Sequence, residues 1–533
     1  MNRRNMLQSG ALGLAGAVAG GPVRAAEPAP SLGGLDAYVR KAMDDRQIPG
    51  MAVCVVRGTD VLHARGYGVR DTSTSGLVDE NTLFQIGSTT KAFTTAALGL
   101  LVDEKKVGWD DPIVKHLPDF ELFDPWITRS VTVRDAVSHR SGFMDWEWPG
   151  LAIANSNETV RRMRLVKESG RFRDSYNYSN NMVEVAGKVV EAASGLSWKA
   201  FINQRLLNPL GMSRSASSPD QIWDRQFITP TFFGTVSGPV QSTQARVPNV
   251  AMPHTRQDGP TVPHAWMSYE TMEAAGAVVS SAADLSRWLR FHLNGGVIDG
   301  QRILQAETLA EIHSPQNLRA PSPRFFDAHE GSYAMGWSRD RYRGEVMIHH
   351  AGGVLDFPAF IAMMPGRKLG LAILANGQDP AFRHHFDIHY SLALWIFDRL
   401  TGAPEADWCG QFFARQLQDE ANQNAIEAAL TASRPKHPGL PAPLANFAGT
   451  YADPSGLNGE LTVTIDGQGL VLRFPGAGAY SARLEPWRGA TFRIHSNGVR
   501  LITGFVNFEL DPAGTVVRLK TPPFGADVEY LRL

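Results

Sequence analysis

The sequence predicts an α+β protein in which an antiparallel sheet is flanked by helices and joined to an all-helical region, with a small all-β, barrel-like domain after it. Two observations carry this prediction. Strand-like runs lie at both ends of residues 26–400 with helical segments between them, so one antiparallel sheet can be assembled from both ends. After residue 444 the pattern changes to alternating strands separated by turns. The chain has 533 residues, which is too long for one simple core.

Residues 1–25 are predicted to be an export signal. Arg3 and Arg4 precede an apolar, Ala/Gly-rich run that is too short and too weakly hydrophobic for a membrane span, and Ala25 ends a small-residue cleavage pattern. The paired arginines resemble a twin-arginine signal, and the alternative is a general secretory signal with arginines present by chance. We therefore expect a mature chain that is periplasmic, with no integral membrane span.

Composition argues against a nucleic-acid partner and against a disulfide framework. The 52 basic and 53 acidic residues give a formal net charge of -1, so no basic excess favours a phosphate backbone. The sequence has two cysteines. Cys54 lies in an apolar, strand-like run and is interpreted as a buried small hydrophobe. A single Cys54–Cys409 bridge stays open at this stage.

The first half of residues 26–400 is predicted to hold a hairpin and several helices. The hairpin covers residues 51–71, with its turn at Gly58 to Asp60. Residues 215–268, rich in Pro, Gly, Thr and Gln, are predicted to form loops and short strands over a cleft. The helical pattern occurs before Pro49, at residues 83–104 and at residues 179–194, the last stopped by Gly195. The stretch at residues 131–143 is predicted to hold a short helix that ends near Ser141-Gly142.

The second half supplies the remaining strands. A helix is predicted between Ser281, its N-cap, and Gly295, which stops it. A later helix is predicted at residues 385–400. Residues 401–444 are predicted to be a helix and a proline-rich linker, and residues 445–533 the all-β domain. Short Gly/Pro turns separate three strand-like runs of an antiparallel meander, at residues 345–350, 357–365 and 369–376.

A serine and a lysine share one face near the start of the helix at residues 83–104. Ser88 and Lys91 are three positions apart, which places them side by side on a helix. A serine hydroxyl becomes a good nucleophile when a neighbour accepts its proton, and a lysine can do so only when neutral. Burial favours the neutral amine, and Phe84, Ile86 and Phe93 offer apolar surroundings. The pair is a candidate catalytic pair, although S-x-x-K also occurs by chance.

Two further stretches carry chemically useful groups. Tyr178 and Asn180 precede a predicted helix; a phenol can relay a proton, and an amide can orient Lys91 and donate to a substrate carbonyl. Glycines at 352 and 353 end a strand-like run, where they let a substrate backbone approach closely. The N–H of Gly353 can serve with that of Ser88 as an oxyanion hole.

Taken in order, these motifs resemble those of the serine β-lactamase and penicillin-binding-protein superfamily, in its class C-like branch. The likeness covers roughly residues 34–400 and includes the stretch VTVRDAVSHRSGF. Each motif is weak alone, and the ordered set is specific. The matching motifs are Ser88-x-x-Lys91, Tyr178-x-Asn180 and His350-x-Gly352.

The resemblance implies roles for these residues. Ser88 would be the acylated nucleophile, Lys91 and Tyr178 would share general-base and general-acid work, and Asn180 would position the acyl carbonyl. Which of Lys91 and Tyr178 takes the first proton stays open. No metal or organic cofactor is implied.

The third motif departs from that of the antibiotic-hydrolysing relatives. Their K-T-G begins with a lysine that helps to hold the substrate carboxylate, whereas this chain has His350 and Ala351. Histidine is only partly charged near neutral pH. H-x-G resembles the esterase and aminopeptidase relatives instead. His349 is expected to point to the opposite face of the strand and to be structural.

These observations predict an exported serine hydrolase acting on a small peptide or ester. The favoured substrate is a peptide amide, with D- or unusual residues, as in the linearised cyclic peptides such as microcystin that one relative degrades. A carboxylesterase is the main alternative. A β-lactamase or D,D-peptidase, and a non-catalytic penicillin- or peptidoglycan-binding protein, are further ones. The all-β domain resembles lipocalin-like extensions, which leaves a homo-oligomer open.

Two other signals have ordinary interpretations. His385 and His389 have a metal-capable i, i+4 spacing, but the Glu of a zinc-protease helix is missing, so we expect a plain helix face and no metal. Trp146 and Trp148 are expected to anchor a loop, the alternative being a wall of the substrate cleft.

Overall fold

The computed structural model describes residues 31–144, 155–229, 240–256, 261–320, 331–377, 386–467, 469–473, 481–496, 503–521 and 528–533. It contains an eight-stranded antiparallel sheet with helices on both faces, and a closed eight-stranded barrel. The predicted α+β class with a small β-barrel domain is confirmed. Trp146, Trp148 and His385 lie outside the described residues.

The large sheet is assembled from both ends of residues 26–400, as predicted. The N-terminal hairpin joins the later meander because β1 pairs with β8, with Val53 opposite Ile373. The strand order is β3-β4-β5-β6-β7-β8-β1-β2. The strands are β1 Gly50–Arg57, β2 Asp60–Gly68, β3 Asn317–Arg319, β4 Gly331–Tyr333, β5 Ser338–Tyr342, β6 Glu345–Val354, β7 Phe357–Met364 and β8 Leu369–Ala375.

The longer helices lie on the two faces of this sheet and in the helical region beside it. They are α1 Leu35–Arg46, α2 Thr90–Asp103, α3 Asn180–Ser194, α4 Ala282–Leu293, α5 Asp387–Thr401 and α6 Trp408–Ala432. Shorter helices include Ile113–His116, Pro125–Ser130, Val133–Val137, Ser156–Arg162, Trp198–Ile202, Glu273–Gly276 and Ala306–Ile312. None of the helices in these described ranges combines the length and apolarity needed to cross a membrane.

Strand β1 is buried on both faces, which explains why its sequence is an unbroken apolar run. Val53 belongs to the core between the sheet and α1 and α5, whereas Cys54 belongs to the core shared with α2, α3 and α4. Successive side chains of a strand point to opposite faces, so a central strand covered on both sides needs apolar residues at every position. The prediction that Cys54 is a buried small hydrophobe is confirmed.

The linker and barrel follow as a helix and eight short strands. The first half of α6 packs on the sheet domain, burying Trp408 and Phe412, and most of the rest is exposed. The Arg162 guanidinium donates to the carbonyl of Leu457, 2.7 Å away, so the barrel touches the helical region. The barrel strands are β9 Gly449–Ala452, β10 Glu460–Asp466, β11 Gly469–Arg473, β12 Ser481–Arg488, β13 Thr491–Ser496, β14 Thr503–Leu510, β15 Val516–Thr521 and β16 Val528–Arg532.

One predicted helix ends earlier in the structure. The pattern predicts a short helix that ends near Ser141-Gly142, but the helix covers Val133–Val137 and starts in a capping box between Thr132 and Asp135. It ends because His139 takes a left-handed conformation, with φ 57°.

His389 is buried on α5, where burial lowers its pKa to about 3. The described residues hold no group of three potential metal ligands.

We predict that a reducing agent leaves the melting temperature unchanged. Cys54 and Cys409 are both free and lie in cores on opposite faces of the sheet, so a bridge between them would have to cross it. Thermal melts with and without dithiothreitol test this, with thiol alkylation before and after denaturation as a control. A native disulfide contributes about 2–4 kcal/mol, so a clear drop in reductant would contradict the prediction.

Candidate active site

Ser88 lies in a short 3-10 turn, Gly87–Thr89, immediately before α2. From residue 82 to residue 101 every residue except Ser88 is buried. The serine is therefore the one point at which this apolar stretch reaches solvent. The sequence places Ser88 at the start of the helix, and the structure places it in the turn that leads into it.

The turn that carries Ser88 is in backbone contact with strand β6. A Cβ atom added to Gly352 would lie 2.0 Å from the carbonyl oxygen of Ile86, and one added to Gly87 would lie 2.6 Å from the amide nitrogen of Gly353. Gly87 also has φ 52°, a conformation that favours glycine. The glycines thus let two segments of this chain touch, which brings the amides near Ser88 and Gly353 to one place.

Lys91 is fully buried, and its amine contacts three oxygen atoms. Its Nζ lies 3.0 Å from Ser88 Oγ, 2.5 Å from Asn180 Oδ1 and 3.1 Å from the carbonyl oxygen of Ala275. A neutral amine has two N–H groups and one lone pair. With its hydrogens directed to Asn180 and Ala275, it can accept the proton of Ser88; as an ammonium ion it can donate to all three.

A buried carboxyl group supports the segment that supplies one of these contacts. Glu184 on α3 accepts a hydrogen bond from the Ala274 N–H at 2.8 Å, next to the carbonyl of Ala275. Burial raises the pKa of Glu184 to about 8, so the carboxyl is mostly protonated at neutral pH. A neutral acid can be buried here without the cost of desolvating a charge.

Tyr178 and Asn180 lie on the solvent side of Lys91. Asn180 is the first residue of α3, and the Ser179 side chain caps this helix by accepting from the Met182 N–H. The Tyr178 ring centroid is 4.8 Å from Lys91 Nζ. Ser88, Tyr178 and Asn180 are each half-buried, so these three side chains border the space open to a substrate.

His350 is a neutral residue with both ring nitrogens engaged. Its Nδ1 lies 2.6 Å from the Ala351 carbonyl oxygen, and its Nε2 lies 2.8 Å from the Tyr333 hydroxyl. Burial, and then the nearby Lys91, lower the pKa of His350 to about 3. At neutral pH the Nδ1–H donates to the carbonyl, and Nε2 accepts from Tyr333.

His349 and Arg319, which lie near His350, are both bound to Asp340 and do not replace the lysine of the K-T-G pattern. His349 lies on the opposite face, as predicted, with its Nε2 2.8 Å from Asp340 Oδ2. Arg319, which is close enough to influence His350, is bound to the same Asp340 carboxylate. Ala351 packs on the face that α1 and α5 cover. The cation expected from the K-T-G pattern thus has no equivalent among these residues.

Sequence reasoning missed two residues of the site. Tyr333 is fully buried in β4 and donates to His350, and His139 packs against both Tyr178 and Tyr333 with ring-centroid distances of 4.3 Å and 4.5 Å. His139 lies in the stretch VTVRDAVSHRSGF, whose resemblance to the family was an available signal. For Tyr333 we find no comparable signal.

The sequence of residues 35–394 matches the profile of the family described as Beta-lactamase. The chain belongs to the beta-lactamase family. The predicted membership of the serine β-lactamase and penicillin-binding-protein superfamily is therefore confirmed. Residues 433–532 match a second profile, described as a domain of unknown function, DUF3471. This match covers the region that folds into the barrel.

Curated relatives of the beta-lactamase family resemble most of the chain. Unguisins hydrolase ungD of Aspergillus violaceofuscus is 27% identical over 444 residues, which cover 79% of this chain and 74% of that protein. Unguisins hydrolase ungD' of Aspergillus campestris is 28% identical over 437 residues, which cover 78% of this chain and 75% of that protein. Protein flp of Staphylococcus aureus is 22% identical over 346 residues, which cover 64% of this chain and 62% of that protein. Hydrolases thus stand among the relatives.

Two solved structures share the fold. The octameric penicillin-binding protein homologue from Pyrococcus abyssi has a TM-score of 0.59 and 20% identity, and the match covers 94% of this chain and 100% of that one. SurE has a TM-score of 0.51 and 21% identity, and the match covers 94% of this chain and 98% of that one. At these identities the likeness supports the fold assignment.

We predict that Gly352→Ala damages both stability and the site. The added methyl group would overlap the Ile86 carbonyl and push β6 away from the Ser88 turn, at a cost of about 1–3 kcal/mol. Denaturant unfolding and reaction of Ser88 with a fluorophosphonate probe measure the two effects. Gly469→Ala is the matched control, because the nearest atom to its Cβ would be 3.9 Å away. Equal behaviour of the two variants would refute the proposed contact.

Proposed function

We propose that this protein is an exported serine hydrolase that cleaves an amide bond of a peptide through an acyl-enzyme on Ser88. One observation carries the proposal: the buried Lys91 amine lies 3.0 Å from the only hydroxyl of its segment that reaches solvent. A base in contact with an accessible serine is what nucleophilic catalysis requires. Tyr178 and Asn180, which border the same space, supply the remaining polar groups.

The chemistry follows from these contacts. Ser88 Oγ attacks the substrate carbonyl carbon as its proton passes to the Lys91–Tyr178 pair, and the N–H groups of Ser88 and Gly353 stabilise the oxyanion. The carbonyl then re-forms, the bond to the leaving group breaks, and Tyr178 delivers a proton to the departing amine. Water attacks the acyl carbon, loses its proton to the same pair, and releases the acid. Ser88 regains its proton in this last step.

The neutral state of His350 supports the proposed substrate class. Because the ring carries no charge and both its nitrogens are engaged, this position cannot supply the cation with which the K-T-G lysine holds a carboxylate. We therefore propose an internal bond of a peptide with D- or unusual residues, such as a cyclic or linearised cyclic peptide. The relatives named unguisins hydrolase support the assignment as a hydrolase.

A carboxylesterase is the second candidate, and the same observation favours it. An ester needs no carboxylate contact, and its alcohol leaves with less help from a proton donor than an amine does. The β-lactamase and D,D-peptidase alternatives are weakened by the neutral His350. The contact between Lys91 and Ser88 argues against the alternative of a non-catalytic binding protein.

Export, assembly and the role of the barrel complete the proposal. Residues 1–25 carry the twin-arginine-like pattern, so we propose a periplasmic location.

The octameric state of the Pyrococcus abyssi homologue motivates the proposal of a homo-oligomer. The closed barrel would be the lipocalin-like extension that forms subunit contacts. Light scattering of the mature chain, with and without residues 445–533, tests this assembly.

We predict that Ser88→Ala abolishes labelling by a fluorophosphonate probe and lowers hydrolysis by more than about a thousandfold, because the nucleophile is lost. Intact-mass and peptide mass spectrometry should locate the label on Ser88 in the wild type. Ser314→Ala is the control, since this serine is also half-buried but lies elsewhere, bonded to the Glu311 carbonyl. A wild-type protein that stays unlabelled while a reference hydrolase reacts would end the enzyme proposal.

We also predict that the protein does not require a carboxylate on its substrate. Paired peptide anilides that differ only in a carboxylate or carboxamide near the scissile bond should have similar kcat/KM. A contact with a fixed cation contributes about 1.5–3 kcal/mol, which would give a preference of about 10- to 150-fold. Such a preference would contradict the prediction. p-Nitrophenyl esters and nitrocefin complete the panel, and turnover of nitrocefin alone would favour a β-lactamase.

A further inference from the structure

His139 holds the chain on both sides of Tyr178. The N–H of Asn177 donates to the His139 carbonyl at 2.9 Å, and the N–H of Ser179 donates to the His139 ring nitrogen Nδ1 at 3.0 Å. These two donors belong to the residues immediately before and after Tyr178. One residue therefore anchors the peptide unit that follows Tyr178 and the one that enters Asn177, so the backbone is held on each side of the phenol.

The position of His139 is itself fixed by its surroundings. The residue is fully buried in a left-handed conformation, and its carbonyl also accepts from the side-chain amide of Asn317 at 3.0 Å. A non-glycine residue persists in this conformation only where its neighbours hold it there. The left-handed turn ends the helix Val133–Val137 and directs the chain so that the ring reaches Ser179.

The protonation state of the ring suits this role. Because Nδ1 accepts from an N–H, the proton of the neutral ring resides on Nε2. Burial, followed by the nearby Lys91 and His350, keeps the pKa of His139 well below its ordinary value. The ring thus remains a neutral acceptor at neutral pH. Its side also packs on the Tyr178 ring, 4.3 Å away between centroids.

We propose that His139 is a positioning residue for the hydrolytic reaction: it fixes Tyr178, and through Ser179 the start of α3 that carries Asn180, against Lys91. The inference rests on the proposed function. His139 acts through its two hydrogen bonds and its ring contact, without touching the substrate. A displacement of about 1 Å in a reacting group can cost about 100-fold in rate. Loss of the tether should therefore weaken proton delivery by Tyr178.

Two variants isolate the ring acceptor. His139→Gly tolerates the left-handed backbone but lacks an acceptor, whereas His139→Asn tolerates it and offers a side-chain oxygen near the place of Nδ1. Both variants lose the ring, so a difference between them reports the bond to Ser179. His139→Leu is a second acceptor-free variant that fills more of the vacated volume, in case the glycine variant does not fold.

The decisive readout compares a peptide anilide with a p-nitrophenyl ester of the same acyl group. An amine must be protonated to leave, whereas p-nitrophenolate leaves unprotonated. We expect His139→Gly to lower kcat/KM for the anilide by about 100-fold and kcat/KM for the ester by less than about 10-fold, and His139→Asn to restore much of the anilide value. A general loss of structure would lower both rates together.

His292→Asn is the matched control. His292 is also a buried histidine whose pKa is held well below its ordinary value by burial, but its ring contacts are with Trp288, His313 and Trp337. This variant should leave the anilide-to-ester ratio unchanged. Equal losses on both substrates in the His139 variants, or no restoration by asparagine, would overturn the positioning role alone. A wild type that hydrolyses neither substrate would overturn the proposed function as well.

Discussion

The site depends on one backbone contact, between the turn before α2 and the glycines of β6. Gly87 and Gly352 have no side chains, so the Ser88 turn and the strand can lie against each other. The turn belongs to the helical region and the strand to the sheet. Their contact therefore sets how these two parts of the molecule meet, and it determines where a substrate carbonyl can sit relative to both segments.

A second constraint is electrostatic. Lys91 is buried beside His139 and His350, and burial together with the nearby amine keeps the pKa of both rings low. Glu184, behind the Ala274–Ala275 segment, is kept protonated by burial. His139, His350 and Glu184 are thus neutral groups near the lysine, and the oxygens of Asn180 and Ala275 contact its amine directly.

The sequence predicted the sheet and the barrel because their signals are local: apolar runs of strand length, short turns and the alternation after residue 444. It also predicted the Ser88–Lys91 contact, since helical spacing alone brings positions i and i+3 together. It could not predict that Tyr333 engages His350, or that His139 bonds to Ser179, because these contacts join residues 17 and 40 positions apart. The short helix predicted to end near Ser141-Gly142 ends at Val137, because a left-handed histidine has no reliable local pattern.

The pairing of Tyr333 with His350 has an evolutionary consequence. A lysine introduced at position 350 would place an ammonium ion against a buried hydroxyl in a space that now holds an imidazole ring, and it would leave Tyr333 without its acceptor. Exchange of His350 for lysine would therefore need a coordinated substitution of Tyr333 on β4. Descendants of this protein can drift in many positions, but a lysine at position 350 is separated from the present arrangement by a step that single mutations do not cross easily.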